Sequence, residues 1–267
     1  VKFLFYPHLP SEKNALIYKI CTIKGWEMVN DPYAPFDLAI NWEDITYRNQ
    51  DETLLSLKQK TFVINGECID ISKQYIDAVH HKVFGYGLGV DPTVFEGEVA
   101  QKSDRNGTHN GRVVQCPISA EERDAAVAEG YIFTRMIHTA TALPGFSDPS
   151  YARDIRVPFM RNEIPFCYFG YRSMDKLFGF SKVFVELAET TDVFSDEEIR
   201  NIHTFCQAIG LDYGELDILR DTNDGKIYIV DANNTPSGPQ QPLPEEWRLE
   251  ALKRLSDSFE RNYIEEK

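Results

Sequence analysis

No uncharged apolar run approaches the ~20 residues that a membrane-spanning helix needs. The opening VKFLFYPHLPSEKN has an apolar stretch too short for a signal peptide and no small-residue cleavage site. The chain begins on Val1 rather than Met, which leaves open what precedes it. Positive charge is scarce: 28 Lys plus Arg stand against 42 Asp plus Glu, a net charge of −14. That deficit argues against a nucleic-acid binder and against docking on an anionic membrane, since both need excess Lys and Arg. It leaves room for a small anionic ligand held by a few local basic residues. The five cysteines (Cys21, Cys68, Cys116, Cys167, Cys206) are scattered, with no C-x-x-C pair. Free thiols in a reducing compartment, and hence a cytoplasmic address, fit better than a disulfide frame or a zinc knuckle. There is no internal repeat, no low-complexity segment, and no convincing Ser-His-Asp or Cys-His set.

What is present first reads as a small α/β unit. KFLFY (2–6) is a buried strand, Pro10-Ser11 opens a helix running through Asn14 to Ile23, and Gly25 closes it. Trp26–Val29 and FDLAINW (36–42) are strands, Asp51–Lys60 a helix, and TFVIN (61–65) a further strand. This alternation predicts a parallel sheet. The character then changes. Ile71–Phe84 reads as a helix, GEVAQKS and RVVQCPI as a hairpin around the polar loop DRNGTHNG, Glu121–Glu129 as a helix and Tyr131–Ile137 as a strand. DIRVPFMRNEIPFCYFGYR reads as a strand pair turning at Arg161-Asn162, and Ser195 with Glu198 as a capping box opening a helix to Gly210. A hairpin follows over Gly214–Ala232. The last helix places Leu252, Leu255, Phe259 and Tyr263 on one core-facing side.

The stretch GLDYGELDILRDTNDGKIYIVDANNTPSGP (210–239) is the most informative. Asp224-Gly225 is a turn signal, and Asp217 and Asp231 are equidistant from Asp224. A hairpin centred there sets the two carboxylates opposite each other, where like charges destabilise a sheet. A cation between them would resolve the conflict. Asn233, two residues beyond Asp231, shares its face and completes a hard-oxygen set suited to Mg²⁺, with Mn²⁺ as the variant. The plainer alternative is an exposed hairpin whose acids point into solvent. Upstream, Lys102 ends a strand before a loop containing Gly107 and Gly111. Backbone N–H groups of such a loop can wrap phosphate oxygens while Lys102 adds charge; the plainer reading is a hairpin tip with a solvated lysine.

VAQKSDRNGTHNG, RDIRVPFMRNEIPFCYFGYR and GELDILRD…GKIYIVDANNTP, in that order, resemble the ATP-grasp superfamily. The likeness is nearest to its carboxylate–amine ligases: D-alanine–D-alanine ligase for the loop, and the ligase that adds glutamate to a ribosomal protein for DIR and ELDIL. It covers roughly residues 70–239. The fold class this implies is α/β (α+β): a small N-terminal pre-grasp unit (1–70), then an N-lobe (71–135) and a C-lobe with a terminal helix (136–267), the two lobes clasping ATP.

The resemblance implies that Asp217, Asp231 and Asn233 ligate Mg²⁺, with Asp231 standing where glutamate is usual. Lys102 and Lys73 (in DISK) would face the ATP phosphates. Ser103 to Gly111, including Gly107, His109 and Asn110, would close over them, and backbone groups at Arg135-Met136 would meet the adenine edge. Arg156 and Arg172 would hold the γ-phosphate or a substrate carboxylate, with Asp154 beside them; a structural ion pair is the alternative for each arginine. The chemistry implied is activation of a small-molecule carboxylate as an acyl phosphate, then attack by an amine. A phosphotransferase on the same scaffold and a non-catalytic nucleotide-binding module are the competing readings. SMDKLFGFSKVFVEL after Arg172 departs from the arginine-rich substrate loop of the ribosomal-protein ligase. With the N-terminal unit short, the resemblance implies that the wall which usually selects the acceptor is either reduced or supplied by a homodimer or a partner protein.

Overall fold

Three sheets run through the described residues, one parallel and two antiparallel. The computed structural model describes residues 1–108, 110–179 and 181–265. The first sheet comes from β1 (Lys2–Pro7), α1 (Leu16–Lys24), β2 (Glu27–Val29), β3 (Leu38–Trp42), α2 (Glu52–Lys60) and β4 (Val63–Ile64). Its strands run parallel in the order β2-β1-β3-β4. Every residue of β3 (LAINW) is buried, as in a parallel strand covered on both faces. α1 stops at Gly25, whose φ of 65° lets its N–H cap the carbonyls of the last turn.

The second sheet is antiparallel and small. It follows α3 (Lys73–Phe84) and holds β5 (Gly97–Ser103), β6 (Arg112–Cys116), α4 (Ala120–Ala128) and β7 (Tyr131–Arg135), in the order β6-β5-β7. Val99, Cys116 and Phe133 form its core.

The third sheet is the largest. Its elements are β8 (Ala140–Thr141), β9 (Tyr151–Met160), β10 (Cys167–Ser173), β11 (Phe184–Ala188), α5 (Thr190–Val193), α6 (Asp196–Ala208), β12 (Tyr213–Arg220), β13 (Ile227–Asn233) and α7 (Glu245–Glu260). The order is β11-β10-β9-β12-β13, antiparallel throughout, with β8 on β9. Arg161 turns the β9–β10 connection at φ 52°, and the Ser195–Glu198 capping box opens α6 with both its bonds made. β8, β11 and α5 are not foreseen by the sequence reading: each is short, and FVELA lies at a sheet edge without a clean alternation.

The two faces of the large sheet differ. Ile155, Val157 and Phe159 of β9 and Leu216 and Ile218 of β12 pack against Ile202 and Phe205 of α6 and Ile76 of α3. On the opposite face, Met160, Tyr168 and Tyr213 meet Phe3, Phe5, Leu16 and Ile20 of the first unit and Leu255, Phe259 and Tyr263 near the C-terminus. The first unit and α7 therefore cover one end of that face, and the rest of it carries charge. All five cysteines are free and buried. Among the described residues no helix is long and apolar enough to cross a membrane.

One joint ties the first unit to the large sheet. Asn65, buried at φ 57°, accepts from the N–H groups of Asp212 and Tyr213 at 2.8 and 2.9 Å and donates to Tyr213 O at 2.7 Å. Asp212 returns a bond by accepting from the Asn65 N–H at 2.8 Å. Burial pushes the Asp212 carboxyl from its usual 3.8 to about 6, against the pull of that bond and of Arg161. Between these two values the folded chain holds a proton that the unfolded chain has released, so this contribution to stability is complete below about pH 4 and lost as the pH rises through about 6. Asp212→Asn, which cannot ionise, should exceed the parent in stability at about pH 8 by up to about 3 kcal/mol and converge with it near pH 4, in urea unfolding at both values. Parallel curves at the two pH values would contradict this.

Candidate functional site

The register of β12 and β13 pairs Asp217 with Asp231 and Glu215 with Asn233. The two aspartates therefore do face each other. A bulge makes this compatible with a core. Ile218 pairs with Ile229 while Asp217 pairs with Asp231, leaving Val230 as an extra residue. Side chains alternate faces along a strand, so Asp231 would otherwise follow Ile227 and Ile229 into the apolar cluster. The inserted residue reverses the phase: Ala232 goes into the core, and Asp231 and Asn233 join Asp217 on the charged face.

Arg156 comes from the neighbouring strand, directly across from Asp217. Its guanidinium grips that carboxylate with two bonds, Nε to Oδ1 at 2.7 Å and Nη2 to Oδ2 at 3.0 Å, and Nη1 lies 3.4 Å from Glu215 Oε2. Burial opposes the Arg156 charge, but Asp217 and Glu215 outweigh it and move its pKa up. Asp217 is likewise held below the usual carboxylate range, since Arg156 overcomes its burial. Asp231 has no such partner: burial raises it to about 6, Lys73 pulls it down and the Asp217 charge pushes it further up. Glu215 rises to about 7, chiefly through burial.

Opposite this carboxylate face stand two lysines. Lys73 is the first residue of α3 after the Ser72 cap, and its Nζ donates to Arg105 O at 2.8 Å. Lys102, on β5, has a pKa lowered to about 8 by burial and by Lys73, with Asp231 opposing both. The loop after β5 folds back onto these elements. Asp104 Oδ1 and its carbonyl accept from the N–H groups of Gln74 and Lys73, and Asn106 reaches β13 through a 3.1 Å bond to Ala232 O. Four of its backbone N–H groups are engaged by nearby side chains: Ser103 by Asn110, Arg105 by Ser103, Asn106 by Thr46 and Gly107 by its neighbour Asn106. A phosphate in this loop would have to displace those partners. A Cβ on Gly111 would stand 2.5 Å from the Phe178 ring, so the loop also meets the β10–β11 connection. His109 lies outside the described residues.

Asp154 pairs with Arg172 and with Lys182, each at 2.9 Å, which is the structural ion pair that stands as the alternative for Arg172, while Arg156 takes Asp217 and Glu215. Arg172 also donates to Leu177 O and Gly179 O, so it fastens the β10–β11 connection. The Arg135 N–H donates to Leu88 O at 2.9 Å, which leaves the other backbone groups of Arg135-Met136 for the expected adenine edge. The Arg135 side chain bridges to Tyr228 Oη at 3.1 Å and to buried Asp221. Met136 follows directly after β7. Asn233 Oδ1 accepts from the Thr235 N–H at 2.9 Å, and a cation there would share that oxygen.

Two residues of this face escaped the sequence reading. Glu215 could have been found by the alternation that places Asp217. Lys182 could not, because its segment has no periodicity; its side chain is 4% exposed. Gly170 makes room for it, since a Cβ there would overlap the Lys182 ammonium and lie 2.5 Å from Asp154 Oδ1.

Among the described residues no three of His, Cys, Asp and Glu form a group that holds a metal unaided. The face fits a divalent cation that brings further oxygen ligands with it. Two carboxylates share a rung, one of them is without an arginine, and hard oxygen donors are what Mg²⁺ takes.

No family model matches the chain, and no curated protein matches it in sequence. Solved structures do match its shape. D-alanine–D-alanine ligase from Bacillus anthracis is similar at a TM-score of 0.59 over 98% of this chain and 96% of that one, with 12% identity. The ATP-grasp ligase PsnB, complexed with a phosphomimetic variant of minimal precursor, Mg and ADP, is similar at 0.58 over 98% of both chains, with 14% identity. The macrocyclase MdnC from Microcystis aeruginosa MRC, bound with precursor peptide MdnA, is similar at 0.52 over 98% and 100%, with 11% identity. The fold is ATP-grasp.

Arg156→Ala would strip Asp217 of both its charge-assisted bonds and leave Glu215 buried without its ion-pair partner. Breaking a buried pair from one side is strongly destabilising, so unfolding should become easier by about 3 kcal/mol in denaturant titration. A change under about 1 kcal/mol would mean that water already screens the pair.

Proposed function

We propose that this chain is an ATP- and Mg²⁺-dependent ligase that activates a carboxylate as an acyl phosphate and passes the acyl group to an amine. The observation that carries the reading is the Asp217–Asp231 rung with Arg156 on one side and Lys73 and Lys102 facing it. Asp217, Asp231 and Asn233 would hold the divalent cation, with Mn²⁺ as a substitute for Mg²⁺. Bound there, the cation supplies charge neutralisation on the phosphate oxygens.

The remaining work belongs to the side chains. Lys73 and Lys102 orient the phosphates, and Lys102, partly stripped of water, keeps its donors directed rather than solvated. Arg156 fixes the Asp217 carboxylate, so the negative face is organised before ligand arrives. The loop 103–111 and the connection carrying Phe178 would exclude water, which an acyl phosphate requires if it is to meet an amine. One similar structure holds a precursor peptide and another a variant of a minimal precursor, so peptide carboxylates and amines belong in the substrate screen alongside small molecules.

The test is a thermal-shift titration with ADP or a non-hydrolysable ATP analogue, with and without Mg²⁺. At about 100 times its Kd, ligand should add about 2.7 kcal/mol of stability, and chelation of the metal should remove it. Carboxylate- and amine-dependent ADP release should then fall at least about 100-fold in Asp231→Asn. Free phosphate together with an amide supports the ligase, whereas phosphate retained on the product would identify a phosphotransferase. Folded protein with no nucleotide shift would overturn the reading.

A further inference from the structure

Glu215 is an acid on this face to which the proposed nucleotide site gives no role. Its side chain is 1% exposed. Oε2 meets only the distant Arg156 Nη1, and Oε1 has no hydrogen-bond partner. A buried carboxylate oxygen without a donor is costly, and such an atom marks a missing ligand or water. The Tyr213 hydroxyl, two residues earlier on the same face of β12, is also fully buried and without a partner.

The space beside Oε1 is bounded by elements from three parts of the chain. Gly238, in the loop after β13, lacks the side chain that would fill it: a Cβ there would lie 3.7 Å from Oε1 and 3.8 Å from Leu16 Cδ1 of α1. That loop is fixed in place, since Leu16 N donates to Pro236 O at 2.9 Å and Lys19 Nζ donates to the Gly238 carbonyl. The gap is about the size of a methyl group, apolar toward Leu16 and acidic toward β12. Glu215 is also separated from Asp217 by a single strand repeat of about 7 Å, which sets the gap next to the site of phosphoryl transfer.

Resting on the ligase reading, we infer that this gap seats the nitrogen of the nucleophile, a small primary amine, with Glu215 Oε1 and the Tyr213 hydroxyl accepting its N–H bonds. An ammonium group offers three donors in a compact cation, which matches the unmet acceptors Glu215 Oε1 and the Tyr213 hydroxyl beside an acid that Arg156 reaches only at 3.4 Å. An alcohol offers one donor and no charge, and a second carboxylate would be repelled.

The test uses the full chain saturated with ADP and Mg²⁺. Propylammonium chloride, tetramethylammonium chloride and sodium chloride are titrated at equal ionic strength, and melting temperature is read. Propylammonium alone should give a saturable rise. Glu215→Gln should weaken it at least tenfold, as should Gly238→Ala, which fills the gap while keeping the charge. Both variants should retain the Mg²⁺–ADP shift, and should Glu215→Gln not fold, Gly238→Ala carries the comparison. An equal response to all three salts, no response to propylammonium, or an unchanged response in the variants would overturn the assignment and leave Glu215 with a buried water. Loss of the Mg²⁺–ADP shift in the parent chain would instead defeat the ligase reading beneath it.

Discussion

Two carboxylates on one rung of a β-ladder repel each other, and a sheet keeps such a pair only if cations are arranged around it. Much of the charged face follows from that constraint. Arg156 on the next strand neutralises Asp217 with a two-bond grip. Asp231 is left to Lys73 and Lys102, which come from a different sheet and a different helix. The rung thus requires the second sheet and α3 to lie against the large sheet. Asn106 reinforces that approach by bonding to the β13 backbone beside Asp231.

The same face shows how an acidic protein can hold an anionic ligand. The chain carries a net −14, yet Asp154, Glu215, Asp217 and Asp231 meet Arg156, Arg172, Lys182, Lys73 and Lys102 on or over one surface. The local balance is therefore near neutral, with Lys73 and Lys102 over the face where the proposed site would take phosphates. Long-range repulsion is screened within about 10 Å at ordinary ionic strength, so near-site charge governs binding more than the total does.

Most of this was legible because strands advertise their faces. The parallel first sheet, the β12–β13 hairpin, the facing aspartates and the Ser195 cap all follow from alternation, turn residues and capping chemistry. The hairpin was right for an incomplete reason. Symmetry about Asp224 pairs the aspartates, but only the Val230 bulge lets them leave the core that holds Ile227 and Ile229. A bulge has no residue signature here, so alternation alone could not supply it. The Asp154–Arg172 ion pair was among the readings the sequence left open, but its third member, Lys182, was hidden, because its position is set by tertiary folding of an aperiodic connection and by the room left at Gly170.

Arg156 links these levels, because it serves two acids unequally. It holds Asp217 at 2.7 Å and Glu215 at 3.4 Å. A hydrogen bond weakens steeply with distance, so the second acid receives Coulomb attraction but little directed bonding. Had Arg156 been centred between them, both carboxylates would be satisfied and neither would have a claim on a ligand. By committing to Asp217, it fixes one group of the proposed cation site and leaves Glu215 Oε1 facing the gap at Gly238. On the proposed reading, the unequal sharing of one guanidinium divides a single charged face into a region for phosphate and metal and a neighbouring region for a donor-rich cation.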